Sequence, residues 1–114
     1  MPRRAKESTL DVVLVALANP TRRDVLDALR GGELTAGDLA ARFDMARPSV
    51  SEHLRVLRDG GLVIERASGR NRFYSLTAEP LAGLVDWLSP YERFWRGRIT
   101  ALSETLDRME SDDE

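Results

Sequence analysis

The 114-residue chain has no cysteine and only one histidine, His53. These absences remove disulfides, thiolate metal sites and cysteine nucleophiles together, and they leave any metal site to be built mostly from carboxylates. Long apolar runs are missing too. None approaches the ~20 residues that cross a bilayer, and Met1-Pro2-Arg3-Arg4-Ala5-Lys6 leads into Glu7 and Ser8 rather than the apolar core of a signal sequence. A cytoplasmic protein without a membrane partner is expected. No nucleophile–base pair, Gly-rich phosphate loop or carboxylate dyad stands out, so neither an enzyme nor a bound cofactor is expected. Internal repeats, low-complexity segments and long linkers are also lacking.

At 42% hydrophobic content the chain can bury one core. Its net charge of -2 hides an uneven distribution. Residues 47–75 hold Arg47, Arg55, Arg58, Arg66, Arg70 and Arg72 against Glu52, Asp59 and Glu65, a local charge of +3. From Ile99 onward six acids face Arg108, giving -5. A local basic face is the footprint of phosphate binding even where overall charge is acidic, although arginines also serve simply to solvate surface helices.

Local signals divide the chain into helices and one hairpin. A first helix is expected from about Ser8 to Ala18, with Ser8 as N-cap, Asp11 at the capping-box position and Leu10, Val13, Leu14 and Leu17 at helical spacing. Asn19-Pro20 caps and opens a second helix with Val25, Leu26 and Leu29 inward, ended by Gly31-Gly32. Thr35, with Asp38 three residues on, caps a third helix carrying Leu39, Ala40 and Phe43. Asp44-Met45-Ala46 is a turn. The fourth helix then runs along Pro48 to Leu57, with Val50, Leu54 and Leu57 on one face and Arg47, Ser49, Ser51, Glu52, Arg55 and Arg58 on the other. Gly60-Gly61 stops it. Leu62 to Arg66 and Arg72 to Leu76 read as two strands around Ala67-Ser68-Gly69-Arg70-Asn71.

The remainder is helical. Leu81, Leu84, Val85, Leu88, Tyr91, Phe94, Trp95, Ile99, Leu102, Leu106 and Met109 keep a three-four spacing. Ser89-Pro90-Tyr91-Glu92 has the form of a fresh helix start with Ser89 as N-cap, so a kink or break is expected there. Such a helix needs a surface to cover it. Packing Leu10, Val13, Leu14 and Leu17 together with Trp87, Tyr91, Phe94, Trp95, Ile99, Leu102 and Leu106 against a second copy would form a two-fold homodimer; folding back on the same chain is the alternative. The division expected is a basic arm over 1–7, one domain with terminal dimerisation helices over 8–109, and a frayed acidic tail over 110–114.

Two helices joined by a tight turn and followed by a basic hairpin form the layout that lays one helix in a DNA groove. Ser49 and Ser51 can approach a phosphate or a base edge. Arg47 and Arg55 suit bidentate contact with guanine, or a phosphate without sequence reading. Glu52 is expected to pair with Arg55. His53 can donate to a phosphate or pack under the hairpin. Arg70, Asn71 and Arg72 suit minor-groove or backbone contact, and Thr21 with Arg22 opens a helix suited to a phosphate.

Pro20-Thr21-Arg22-Arg23-Asp24-Val25-Leu26, Leu39-Ala40, Val50-Ser51-Glu52-His53-Leu54-Arg55-Val56-Leu57 and Gly60-Gly61-Leu62-Val63 resemble the ArsR-type (ArsR/SmtB) winged helix-turn-helix transcriptional regulators. Arg66 to Leu76 continues the likeness as the wing, so it covers about residues 8–109. It implies a mainly α fold with a small β-hairpin, and a homodimeric regulator, most often a repressor, that binds an inverted-repeat operator in double-stranded DNA. A winged-helix protein-interaction module and a regulator of another winged-helix family are the alternatives. Thiolate sensors of the family place cysteines where this chain has Thr35 and Gly37, and zinc sensors place histidines on the terminal helix, which here has none. The resemblance therefore implies no metal site. An unknown small-molecule effector could use a crevice beside Trp87, Tyr91, Phe94 and Trp95, although such an aromatic stripe is more often core. Family sequences usually carry a Ser or Thr cap where Ala46 stands.

Overall fold

The computed structural model describes residues 9–112. Ser8, the expected first cap, and the basic arm lie outside the described residues, as do the last two acids of the tail. In chain order the elements are α1 (Thr9–Leu17), α2 (Pro20–Leu29), β1 (Leu34–Thr35), α3 (Ala36–Phe43), α4 (Arg47–Asp59), β2 (Val63–Ser68), β3 (Asn71–Leu76), α5 (Leu81–Leu88), a 3-10 turn (Ser89–Tyr91) and α6 (Glu92–Asp112). They fall into two units, 1–83 and 84–114. No helix among the described residues is long and apolar enough to cross a membrane.

Capping chemistry sets the ends of the helices. Asn19, in extended conformation, accepts the Arg22 N–H, and Pro20 fills the first position of α2, where a missing N–H costs nothing. Thr35 and Asp38 form the reciprocal capping box of α3 at 3.0 Å each way. At the far end of α3, Asp44 takes a left-handed conformation (φ 52). It directs the chain into α4, which starts at Ala46 without a side-chain cap. A Schellman arrangement closes α4. Gly61 at φ 76 donates to the Arg58 carbonyl, Leu62 donates to the Leu57 carbonyl, and the Leu57 and Leu62 side chains are both fully buried.

The core of residues 1–83 is apolar. Val13 and Ala16 of α1, Val25, Leu26 and Leu29 of α2, Leu39 of α3, and Val50, Leu54 and Leu57 of α4 meet Leu62, Val63 and Tyr74. Burying a Val or Leu side chain is worth about 1.5–3 kcal/mol. This cluster therefore fixes which face of α4 turns outward.

The sheet differs from the expected hairpin in two ways. It has three antiparallel strands in the order β1-β3-β2, because Leu34 and Thr35 pair with Tyr74 and Phe73. The β2–β3 ladder also runs to Ser68↔Asn71, which leaves only Gly69 and Arg70 as the turn. Gly69 has φ 62, the left-handed value that the first residue of a two-residue hairpin turn can require.

Within residues 84–114 the interruption at Pro90 is present, but as a 3-10 turn with no side-chain cap bond. Ser89 lies inside that turn, so the expected Ser89–Glu92 capping box does not form. The Glu92 N–H instead donates to the Ser89 carbonyl. At 21 residues α6 spans about 32 Å and continues three residues past Met109.

Candidate nucleic-acid interface

With Val50, Leu54 and Leu57 turned into the core, the opposite face of α4 exposes Arg47, Ser49, Ser51, Glu52 and Arg55. Arg55 is held along the helix axis by Glu52, through bonds of 2.6 and 3.2 Å, and by Asp59 at 3.3 Å. Hydrogen bonds from Arg55 hold the Glu52 carboxyl below the usual range, and the same pair raises the Arg55 guanidinium. The expected Glu52–Arg55 pairing is therefore present. Bidentate reading of a base through the Nε–Nη2 edge of Arg55 would require exchanging the Glu52 carboxylate for base acceptors.

Arg47, Ser51, Arg70, Asn71 and Arg72 line one cleft of about 250 Å³, together with Thr35, Ala36, Gly37 and Tyr74. The sheet and α3 bring them together. β3 carries Arg72 and Tyr74, β1 holds Thr35 beside Phe73, and α3 starts directly after it. The lining has no carboxylate. Arg47 lies over Gly37 so closely that a Cβ there would collide with its guanidinium. Neither Arg47 nor Arg70 forms an ion pair among the described residues.

The other wing cations are tethered. Arg72 pairs with Glu65 at 2.7 Å, and Glu65 also takes Arg58 of α4, tying that helix to the hairpin. Arg66 pairs with Glu33 at 2.6 Å and lies 4.9 Å from the centre of the Phe73 ring. The Arg66 hydrogen bond holds the Glu33 carboxyl below its ordinary value.

Several expected site residues sit elsewhere. Arg22 is committed to α1, its Nε donating to the Ala16 carbonyl at 2.7 Å and its Nη2 to the Val15 carbonyl at 2.9 Å. The orphan carbonyls at a helix C-terminus attract a cation, and this one holds α1 against α2. The side chain proposed for a phosphate thus acts as a clamp. Thr21 is half-buried beside it. His53 is also half-buried, with a buried Nδ1 that has no hydrogen-bond partner among the described residues. Asn71 is a ladder residue opposite Ser68 rather than part of a loop tip. Gly37 and Glu65 were not expected in the site. Nothing local marks them, since their partners are brought to them by tertiary structure.

The expected association surface divides as well. Val13 is fully buried in its own core and cannot face another chain. Leu17 packs against the same core, and Leu10 is half-buried. Leu14 and Val15 are the exposed pair, because a helix turns about 100° per residue and Val13 with Ala16 already occupy its inner face. Trp87, Tyr91, Phe94, Trp95, Ile99, Leu102 and Leu106 are all exposed, from 43% at Trp95 to 64% at Phe94. Trp87 and Tyr91 stack at a tilt, 5.3 Å between centroids. Of the four aromatics expected around a crevice, only Trp95 lines one of the hollows described, with Val85, Leu88, Ser89 and Glu92. At about 150 Å³ it is smaller than the ~300 Å³ at which small-molecule sites begin.

Comparison with known proteins agrees with this geometry. A family described as a helix-turn-helix domain matches residues 17–66. The chain is 38% identical to transcriptional repressor SdpR of Bacillus subtilis over 67% of its own length and 84% of the relative's. A crystal structure of an ArsR family transcriptional regulator aligns at 38% identity and a TM-score of 0.68, over 77% of this chain and 91% of that one. A solution structure described as a homodimeric winged helix-turn-helix DNA-binding domain, a possible ArsR-family regulator from Mycobacterium bovis, aligns at 30% identity and a TM-score of 0.61. That alignment covers 75% of this chain and 79% of the other. With its mainly helical architecture, three-stranded sheet and basic α4 face, the chain belongs to the ArsR family of winged helix-turn-helix DNA-binding transcriptional regulators, which are not enzymes.

Proposed function

We propose that the protein is a cytoplasmic homodimeric repressor that binds an inverted-repeat operator, with α4 in the major groove and the wing on the flanking backbone or minor groove. The observation carrying this reading is the carboxylate-free cleft where Arg47 and Ser51 of α4 meet Arg70 and Arg72 of the wing. A protein-interaction module would instead present an apolar or acidic outer face on α4.

The exposed apolar side chains from Trp87 to Leu106 support association, and a solved relative is described as homodimeric. Two copies would present two α4 helices, which must sit ~34 Å apart to enter successive major grooves. A relative is named a repressor, and an operator occupied across both half-sites is closed to other proteins. Control by a transition metal is not part of this reading. The chain has no thiolate and a single imidazole, and the Nδ1 of that imidazole is buried. An effector, if the regulator has one, is then a small molecule of another kind.

Selection of bound fragments from random duplex DNA, repeated over a salt series, tests the proposal. An enriched inverted repeat whose affinity falls steeply with salt is expected. Absence of any enriched sequence would remove the operator-binding claim, a monomer by sedimentation would remove the dimer, and release of DNA by added divalent metals would remove metal independence.

A further inference from the structure

We propose that the charge distribution along α6 is a pairing code for a second copy of this chain. It sets two α6 helices antiparallel, with their two-fold axis at the level of residue 104 and Arg96 against the partner's Glu110. This inference rests on the homodimer reading and adds to it a register and a reason for choosing an identical partner.

Along α6, Trp95, Ile99, Leu102, Leu106 and Met109 follow one another at intervals of four, three, four and three, and all are exposed. That spacing is a heptad seam, with Ile99 and Leu106 at a and Leu102 and Met109 at d. The positions flanking a seam decide what it accepts. Here they hold Arg96, Ser103 and Glu110 on one side (e) and Arg98 and Thr105 on the other (g), a run from basic through neutral to acidic. The whole helix follows the same trend. Arg93, Arg96 and Arg98 stand against Glu92 in residues 92–100, whereas four acids stand against Arg108 in 101–112. The last turn has no basic residue, although the carbonyl end of a helix favours cations. Among the described residues Arg98 and Glu110 form no ion pair, and Arg96 pairs only with Glu92 of its own helix, at 2.7 Å on an exposed surface. An exposed pair of that kind holds weakly and can be exchanged.

Parallel helices would put residues of the same number side by side, arginines by arginines at one end and Glu110 by its own copy at the other. Antiparallel helices face each a residue with a d residue of the partner. Ile99 then packs on the partner's Met109 and Leu102 on the partner's Leu106, and the e positions bring Arg96 to the partner's Glu110 at both ends of the pair. Arg98 comes to the level of the partner's acidic last turn. At the axis each flanking residue meets its own copy, where any charge would repel itself. The two residues there are Ser103 and Thr105, both neutral. Sliding by one heptad would bury Trp95 on the partner's Leu106, but it gives up the charge match. Arg96 would face the partner's Ser103, Arg98 the partner's Thr105, and the Glu92 carboxylate would enter the seam. A terminal helix without the same reversal of charge meets a similar penalty, so the code selects an identical copy.

The test uses the full-length protein. It has no cysteine, so single spin labels can be placed through Gly97→Cys and Glu104→Cys, one heptad apart on the outer face of α6. The distance between the two labels of a dimer is expected to be shorter at 104. At 97 the labels are displaced along the axis by twice seven residues, about 21 Å at a rise of about 1.5 Å per residue. Equal distances at the two positions would overturn the register, since parallel helices and the one-heptad slide both give that result. Sedimentation of charge variants tests the code itself. Arg96→Glu and Glu110→Arg should each weaken self-association about tenfold at low salt and less at high salt, the second without touching the Glu92 pair. Mixing the two variants, or combining both changes in one chain, restores opposite charges at both ends and should recover the parent's dimer. A mixture as weak as its components, or no weakening in either variant, would overturn the code, while a dimeric parent would leave the homodimer reading standing. A monomeric parent would remove both.

Discussion

Adding the missing cap at the start of α4 should stabilise the protein, by an amount that the local geometry limits. Ala46 has φ -69 and ψ 143, an extended conformation similar to those of Asn19 and Thr35, whose side chains do cap α2 and α3. A serine at 46 can therefore reach the first turn without backbone adjustment. A cap normally has the second and third helical N–H groups to choose from. Here the second position is Pro48, which has none, and the third, Ser49, already donates to the Ala46 carbonyl at 3.1 Å. Ala46→Ser thus improves one partly satisfied donor, and the gain should lie near the lower end of the capping range, about 0.5–1 kcal/mol.

Urea unfolding at fixed protomer concentration reads this directly, since a dimer's stability depends on that concentration. With a slope of about 1.5 kcal/mol per molar, the midpoint should rise by about 0.3–0.7 M with the slope unchanged. Ala46→Asp should stabilise to a similar degree through the helix dipole. It should also weaken operator binding, because the new carboxylate would stand next to Arg47 and close to DNA phosphates. Thr35→Ala, which removes an existing cap, should cost about 1 kcal/mol and calibrates the scale. If Thr35→Ala showed its full cost while Ala46→Ser left the midpoint in place, the reasoning that α4 lacks a cap would be wrong.

Three further outcomes are expected. Leu54→Ala, at a fully buried position where α4 meets the core, should destabilise by about 2–5 kcal/mol, and calorimetry would show a correspondingly lower Tm. Arg22→Ala should speed amide hydrogen exchange in α1 by releasing the Val15 and Ala16 carbonyls, with the salt slope of operator binding unchanged; a smaller slope would return Arg22 to the phosphate role. Glu33, Glu52 and Asp38 have carboxyls held below their ordinary values, by Arg66, by Arg55 and by the Thr35 backbone N–H respectively. The stability they contribute is fully present above the ordinary values, 4.5 for glutamate and 3.8 for aspartate, and is lost as pH falls through the lower folded values. Asp38→Asn should flatten that acid limb in a pH series of thermal melts, and an unchanged limb would exclude the capping carboxylate as its source.

Elements built from neighbouring residues were legible in the sequence. The Thr35–Asp38 box, Asn19 before Pro20, the Gly60-Gly61 stop and the uncapped Ala46 all act within one turn of helix, so their spacing alone gives their geometry. Two-residue β1 was not legible, because its pairing partner Tyr74 lies far along the chain and two residues carry no periodicity. The register of α1 was misread for a related reason. Its apolar residues nearly encircle the helix, so the pattern gave no preference between Val13 inward and Val13 outward. The decision came from the surfaces of α2 and α4 packed against it.

The same distinction runs through the basic face of α4 and the wing. Charge counting treats the six arginines between 47 and 75 as one basic patch, but the structure separates them by their partners. Arg55 pairs with acids on its own helix, a relation that i,i+3 and i,i+4 spacing reveals. Arg66 pairs with a residue 33 positions away, and Arg58 and Arg72 converge on Glu65 only because α4 and the hairpin fold together. Among the described residues Arg47 and Arg70 form no ion pair, and with Arg72 they line the carboxylate-free cleft. A paired arginine that trades its carboxylate for a base gains only where the base matches it, and that penalty favours discrimination over affinity. Arg47 and Arg70 have no such exchange to make and suit the sequence-independent part of binding. Division of labour within a single basic patch is thus a property of the tertiary ion pairs, which composition cannot express.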